Sequence, residues 1–145
     1  MEIERKFKVR ELPDLSQYPF KQLEQGYLNT NPVVRVRKED EEYYLTYKGK
    51  GFLEREEYNL PLNKEAYEHL ITKADGRVIT KKRYLIHFEY YTIELDIFEG
   101  DLAPLIIAEV EFETKEEAVS FTPPDWFGED VTEDPSYSNS NLSKK

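Results

Sequence analysis

Acids and bases recur two residues apart along this chain. Glu2 and Glu4 are followed at the same interval by Lys6 and Lys8. Arg35 and Arg37 repeat the spacing, as do Arg55 and Glu57, Lys81 and Arg83, Glu94 and Asp96, and Glu109 with Glu111. On a helix such charges would scatter round the axis. On a strand, side chains two apart leave the same face, with their backbones about 7 Å apart. Two carboxylates so placed can share one ion. Hard cations such as Mg²⁺ and Mn²⁺ prefer carboxylate oxygen. Lysine and arginine are the usual partners of phosphate oxygens, arginine through its bidentate fork. The combined set suits a polyphosphate carried with a divalent metal.

A single strand of this kind is ordinary, because antiparallel sheets often solvate one charged face. Recurrence changes the reading. Seven strands carry the pattern, and their other faces are mostly Val, Ile, Leu, Tyr and Phe. The first strand runs to about Val9. Prolines bracket a loop or short helix over 11–19. Further strands are expected over 21–30, 33–38, 43–48 and 53–60. Asn63 caps a helix through about Ala74, whose apolar stripe is core packing. Strands over 77–88 and 89–98 form a hairpin, and 105–113 is the eighth strand. A capping box at Thr114 starts a short helix to Phe121, which Pro123 and Pro124 stop. From about residue 129 the tail turns polar, and Trp126, Phe127 and Tyr137 suggest that part of it docks.

Composition narrows the class. A chain of 145 residues with 39% hydrophobic content is one domain, residues 1–145, with enough apolar surface for a core. No apolar run approaches membrane-spanning length, and Met1 leads straight into the first strand, so neither a membrane partner nor a cleaved leader is expected. The absence of cysteine excludes disulfides and zinc–thiolate sites and fits a reducing, cytoplasmic compartment. The net charge of −10 repels duplex nucleic acid. A small polyanion is not excluded, because eight bases lie on the polar strand faces: Lys6, Lys8, Arg35, Arg37, Lys48, Arg55, Lys81 and Arg83.

About eight antiparallel strands with two small helices suggest a mainly β protein, a closed eight-stranded antiparallel barrel. Two arrangements compete. An apolar core with a charged coat is the more ordinary protein. The alternative turns the charges into the lumen and covers the apolar faces with helices, loops and aromatic side chains. Mixing of acids and bases on one face favours the second, since the groups can then pair. Buried pairs add little net stability, while removing one partner costs about 3–5 kcal/mol. A charged lumen therefore makes sense as a binding device.

The segment Glu2-Ile3-Glu4-Arg5-Lys6 resembles the ExExK signature of the CYTH family, the triphosphate tunnel metalloenzymes. The resemblance continues in the family's order through Arg35-Val36-Arg37, Lys48, Arg55 with Glu57, Lys81 with Arg83, Glu94 with Asp96, and Glu109-Val110-Glu111. The tail segment 133–139 resembles the family's closing segment. The resemblance implies a tunnel with a charged lumen that cleaves or cyclises triphosphates with Mg²⁺ or Mn²⁺. Carried across, Glu2, Glu4 and Glu111 become metal ligands. Lys6, Arg35, Arg37, Lys48, Lys81 and Arg83 become the phosphate clamp. Arg55 joins that clamp with Glu57 orienting it, and Lys8 joins by strand parity. Asp96 and Glu109 become auxiliary acids, for a second metal or the attacking water. Asn59 departs from the family, which often has an acid there.

The expected function is a metal-dependent phosphohydrolase releasing orthophosphate from inorganic triphosphate, with longer polyphosphate and nucleoside triphosphates as further substrates. An adenylate cyclase and a thiamine-triphosphatase are alternatives within the family. A non-catalytic polyphosphate-binding module is the alternative of another class, and the many carboxylates in the lumen argue against it. His69 and His87 are expected at the surface.

Overall fold

The structure is a computed structural model that describes residues 1–144; Lys145, the last residue of the expected domain, lies outside the described residues. Its strands are β1 (Glu2–Val9), β2 (Phe20–Thr30), β3 (Val33–Glu39), β4 (Glu42–Lys48), β5 (Glu54–Arg55), β6 (Glu57–Pro61), β7 (Asp75–Phe88), β8 (Tyr91–Phe98), β9 (Ile106–Glu111) and β10 (Phe127–Asp130). The helices are α1 (Lys64–Ile71), α2 (Lys115–Ser120) and α3 (Asn139–Leu142). Among the described residues no helix is long and apolar enough to cross a membrane.

Antiparallel pairing runs β1-β9-β8-β7-β2-β3-β4-β6. The seam lies between β6 and β1. Glu56 alone separates β5 from β6, and β5 pairs with β1 through Glu2↔Arg55 and Ile3↔Glu54. The Glu4 amide adds a bond to the Leu53 carbonyl at 2.9 Å. The hydrogen-bonded order is thus not closed as expected: β6 and β1 do not pair, and only the two-residue β5, continuous with β6 through Glu56, bridges the gap between them. The rest of that β1 edge is taken by β10, in register Phe7↔Asp130 and Val9↔Phe127. Sequence patterning missed β10 because it is four residues long and half acidic.

The apolar faces point outward. Phe7, Ile93, Leu95, Ala108 and Val110 pack beneath α2, Phe121 and Phe127 in the larger core. Helix α1 covers part of the remaining wall. Its cap forms as expected, with the Asn63 side chain accepting from the Ala66 amide at 2.7 Å. The helix ends at Ile71 rather than Ala74. Thr72 turns the chain and donates to the His69 carbonyl at 2.6 Å, so Ala74 reaches the sheet from outside the helix. Gly26 permits that approach: a Cβ there would stand 2.7 Å from the Ala74 Cβ.

A second core fills one end of the barrel from inside. Tyr27, Val33, Ile79, Phe98 and Ile107 meet Tyr137 and Leu142 of the tail there. The lumen is therefore charged over part of its length and apolar at its floor. The tail from 129 docks through β10, Tyr137 and α3. Gly76 holds its end. It has φ +67, and an added Cβ would collide with the Ser143 carbonyl oxygen. The next amide, of Arg77, donates to that oxygen at 2.6 Å. Gly76→Ala is expected to cost about 2 kcal/mol through strain at positive φ. A thermal melt would read the loss, and limited proteolysis would locate it in the last fifteen or so residues; an unchanged melt would contradict this tether.

Candidate active site

The barrel encloses a cavity of about 280 Å³. From β1 it receives Glu2, Glu4 and Lys6, and from β3 Arg35 and Arg37. Lys48 enters from β4, Arg55 and Glu57 from the bent seam strand, Arg83 from β7, and Glu109 and Glu111 from β9. The two-residue spacing of a strand is what aims each pair inward. Pairing then fixes their neighbours: Glu4 faces Glu111 and Lys6 faces Glu109 across β1 and β9.

Three of the expected site residues do not line this cavity. Lys8 lies where the β1–β10 register shifts, between Phe7 and Val9. Its ammonium sits 3.3 Å from Glu129 and over the Tyr137 ring. Parity along β1 continues, but the charged lumen has ended by that point, so Lys8 is corrected to a contact of the tail. Lys81 and Asp96 are fully buried beside the apolar floor. Lys81 Nζ lies 2.6 Å from Asp96 and donates to Asn139 of the tail at 3.2 Å. Arg83 grips the same carboxylate with two bonds of 2.7 and 2.9 Å. Three of the roughly four acceptor sites of the carboxylate are taken by these two bases, and its full burial keeps water away from the fourth. Asp96 is thus a counter-ion that sets Arg83, and Lys81 its buried partner.

The remaining charges divide into paired and unpaired groups. Glu2 takes Lys48 at 3.1 Å and Arg55 at 3.5 Å, and Glu57 shares Lys48 at 3.4 Å. Glu109 takes Lys6 at 3.6 Å and Arg83 at 3.5 Å. Burial works to raise the Glu109 carboxyl, but Lys6, Arg83 and Lys81 outweigh it and hold the group below the usual carboxylate range. Glu4 and Glu111 have no ion pair among the described residues. Burial, then the charges of Glu109 and Glu2, push Glu4 up to about 8. Glu111 is pushed up as well, by burial and then by Glu2, Glu57 and Glu94. These are carboxylates short of a cation.

The opposite deficit occurs on β3. Arg35 is 5% exposed and pairs with no acid among the described residues, and its Nε has no partner at all. Its Nη2 donates to Thr46 at 3.2 Å, and Thr46 donates to Asn59 at 2.6 Å. Asn59 is neutral, so this chain of bonds orients the guanidinium without cancelling its charge. Arg37 donates to Gln25 at 2.8 Å and pairs with Glu39 at 3.5 Å, so of the two only Arg35 lacks an ion pair among the described residues. Burial, then Arg35 and Arg83, push Arg37 down to about 10. A buried cation without a counter-ion is costly, and an anionic ligand removes the cost.

The donor set fits a hard divalent cation, since Glu4 and Glu111 face each other with uncompensated charge and Glu2 lies beside them on β1. Among the described residues, however, no three acids converge at ligand spacing. Glu2 is drawn toward Lys48 and Arg55 instead, so joining a cation would require it to exchange partners.

Sequence reasoning left Glu94 out of the site. It lines the cavity, and burial followed by the opposing pull of Arg83 and the repulsion of Glu109 leaves its carboxyl raised. Its place on the same strand face as Asp96, two residues away, was the available signal. Asn139 and Ser140 also line the cavity. No periodicity could have brought them there, because they arrive on the folded-back tail.

Comparison with known proteins agrees with this architecture. The CYTH domain family matches residues 1–143. An inorganic triphosphatase of Nitrosomonas europaea is 42% identical over 98% of this chain and 96% of its own length. An inorganic triphosphatase of Acetivibrio thermocellus is 43% identical over 83% of this chain and 78% of its own length. The crystal structure of the inorganic triphosphatase NE1496 matches with a TM-score of 0.74 at 38% identity, covering 100% of this chain and 95% of that one.

Proposed function

This chain belongs to the CYTH domain family, and on that footing we propose that it is a divalent-metal-dependent phosphohydrolase that releases orthophosphate from inorganic triphosphate. One observation carries the reading. A single cavity holds unpaired carboxylates, Glu4 and Glu111, together with an unpaired buried cation, Arg35. A metal-bound polyphosphate brings both missing charges at once. A simple anion or a lone cation would satisfy one half and aggravate the other. The two relatives named as inorganic triphosphatases support the substrate.

Glu4 and Glu111, with Glu2 released from its bases, would hold Mg²⁺ or Mn²⁺. When bound, such an ion neutralises phosphate oxygens and the charge that grows on the leaving group. The chain's own groups do the rest. Arg35, Arg37 and Arg83 hold the phosphoryl oxygens, with Lys6, Lys48 and Arg55 nearer the metal end. Phosphoryl transfer has a loose transition state, so this preorganised positive field supplies most of the catalysis. Lys48 and Lys6 are themselves set by Glu57 and Glu109, which act as positioning acids. Burial raises both carboxyls, but Lys48 with Arg35 for Glu57, and Lys6 with Arg83 for Glu109, hold them below the usual range, which makes them weak proton acceptors. Glu94, with its raised carboxyl facing the cavity, is the better acceptor for the proton of the attacking water. Glu94→Gln is expected to lower kcat roughly a hundredfold with little change in KM. A KM effect alone would assign Glu94 to binding instead.

The direct test is phosphate release from inorganic triphosphate with Mg²⁺ or Mn²⁺, repeated with excess chelator. Turnover that vanishes with the chelator supports the reading. Unchanged turnover in chelator, or none under any metal, would refute it. ATP should give ADP and orthophosphate, the products of attack by water rather than by the ribose hydroxyl.

A further inference from the structure

The two arginines of β3 are held differently from the other bases of the cavity. Lys6, Lys48, Arg55 and Arg83 are each set by a carboxylate, from Glu109, Glu2, Glu2 and Asp96 respectively. Arg35 and Arg37 are set instead by uncharged groups directly across the sheet. On one side of β3, Gln25 stands opposite Arg37 in the β2–β3 register. On the other side Arg35 stands opposite Thr46, and Thr46 opposite Asn59. Residues so paired share a face, with Cβ atoms about 5 Å apart. Two short rungs of bonds thus run out from β3 in opposite directions.

The bonds in each rung have one possible direction. A guanidinium only donates, so Gln25 turns its carbonyl oxygen to Arg37 Nε at 2.8 Å, and its amide nitrogen reaches the Tyr27 hydroxyl at 3.4 Å. In the other rung Arg35 donates to Thr46 Oγ1 at 3.2 Å, and that hydroxyl donates to Asn59 Oδ1 at 2.6 Å. Gln25 and Thr46 are fully buried. A buried amide is costly beside an apolar side chain of similar size, so packing alone does not account for Gln25. A carboxylate at either rung would accept the same bonds, and it would stabilise the fold by pairing with a buried cation. It would also cancel the charge that an anionic ligand meets. Glu39 is the one acid paired with Arg37 among the described residues, 3.5 Å from Nη1, and Lys21 shares it at 3.9 Å.

We propose that Gln25 and Asn59 are positioning residues, which aim Arg37 and Arg35 through uncharged acceptors and so set how tightly the cavity holds an anion. The proposal rests on the triphosphatase reading above.

The test adds one charge at each rung with little change of shape, in Gln25→Glu and Asn59→Asp. Calorimetry with inorganic triphosphate gives Kd, steady-state kinetics on the same substrate gives KM and kcat, and thermal melts give stability. Gln25→Glu is expected to raise Kd and KM roughly tenfold, because the new carboxylate sits beside the guanidinium in a site of low dielectric. Its kcat should fall by less than about threefold, and its melting temperature should hold or rise, because the carboxylate gains Arg37 as a charged partner. Asn59 is exposed, so Asn59→Asp should raise Kd only roughly threefold, and its difference from wild type should shrink at high salt. Gln25→Leu removes the acceptor and leaves the charge balance alone. It should lower kcat, affinity and melting temperature together, since the buried Arg37 Nε loses its partner. A melting temperature that fell alike in Gln25→Glu and Gln25→Leu, with affinity falling in step, would make Gln25 a structural residue and overturn its role. Wild-type affinity in both charge-adding variants would overturn the proposal outright. If Gln25→Glu did not fold, Asn59→Asp and its salt dependence would decide alone. Binding without turnover in the wild type would refute the phosphohydrolase reading, and the measured affinities would still decide this one.

Discussion

Replacing Glu4 with glutamine is expected to abolish turnover and, at the same time, to raise the melting temperature of the metal-free protein. The first half follows from chemistry: an amide is a poor ligand for a hard cation, and losing that interaction removes several kcal/mol of transition-state stabilisation. A loss of about 4 kcal/mol is roughly a thousandfold in kcat/KM. The second half follows from charge. Glu4 faces Glu111 across the β1–β9 pair without a base of its own, and its carboxyl is pushed up to about 8. A carboxyl raised in the folded state binds a proton that the unfolded chain has already released. The metal-free fold therefore loses stability as pH rises from the ordinary range, near 4.5, toward 8. Glutamine removes that penalty, so its stabilising effect should be larger at pH 8 than at pH 5. Thermal melts at the two pH values, with chelator present, would measure it. A variant that is inactive and also less stable at both pH values would indicate a structural role and contradict the ligand assignment.

The second large effect separates two arginines that look alike in sequence. Arg35→Met is expected to raise KM for triphosphate and lower kcat, with stability unchanged or improved. Arg83→Met is expected to destabilise the fold by about 3–5 kcal/mol. The difference lies in their partners. Arg83 serves Asp96, Glu94 and Glu109, and its removal leaves buried carboxylates uncompensated. Arg35 makes no ion pair among the described residues, only a longer-range attraction to Glu57, and its Nε is orphaned. A methionine there relieves a buried charge while keeping the packing volume. Urea titrations of both variants would test the contrast. Equal destabilisation would mean that Arg35 is a structural cation and that the basic half of the cavity has been misread.

These two arginines also mark what a sequence can and cannot reveal. The alternating pattern was enough to place Glu2, Glu4, Arg35, Arg37, Lys48, Glu109 and Glu111 on a common inner surface, because strand parity is a local property. Parity alone left open whether that surface faced inward. Eight paired strands and two outer helices resolve it, since the apolar faces find their cover outside. Depth along the barrel was not legible. Lys8, Lys81 and Asp96 have the right parity but lie at the level of the apolar floor, and the floor is made in part by Tyr137 and Leu142. Those residues come from a tail whose composition reads as polar and loose. Its docking depends on the open edge of β1, a feature set by how short β5 is. No window of sequence contains both.

The central claim is that this cavity recognises a three-phosphate chain with its metal rather than any phosphate ester or anhydride. The most direct measurement is kcat/KM for inorganic triphosphate, pyrophosphate and ATP under one metal concentration, with the ATP products separated by chromatography. Inorganic triphosphate should be the best of the three. Pyrophosphate should be poor, because it brings one phosphate fewer to share between the metal and the bases of the cavity. ATP should be intermediate or poor and yield ADP with orthophosphate. Equal rates on triphosphate and pyrophosphate, or cyclic AMP as the main product from ATP, would contradict the account.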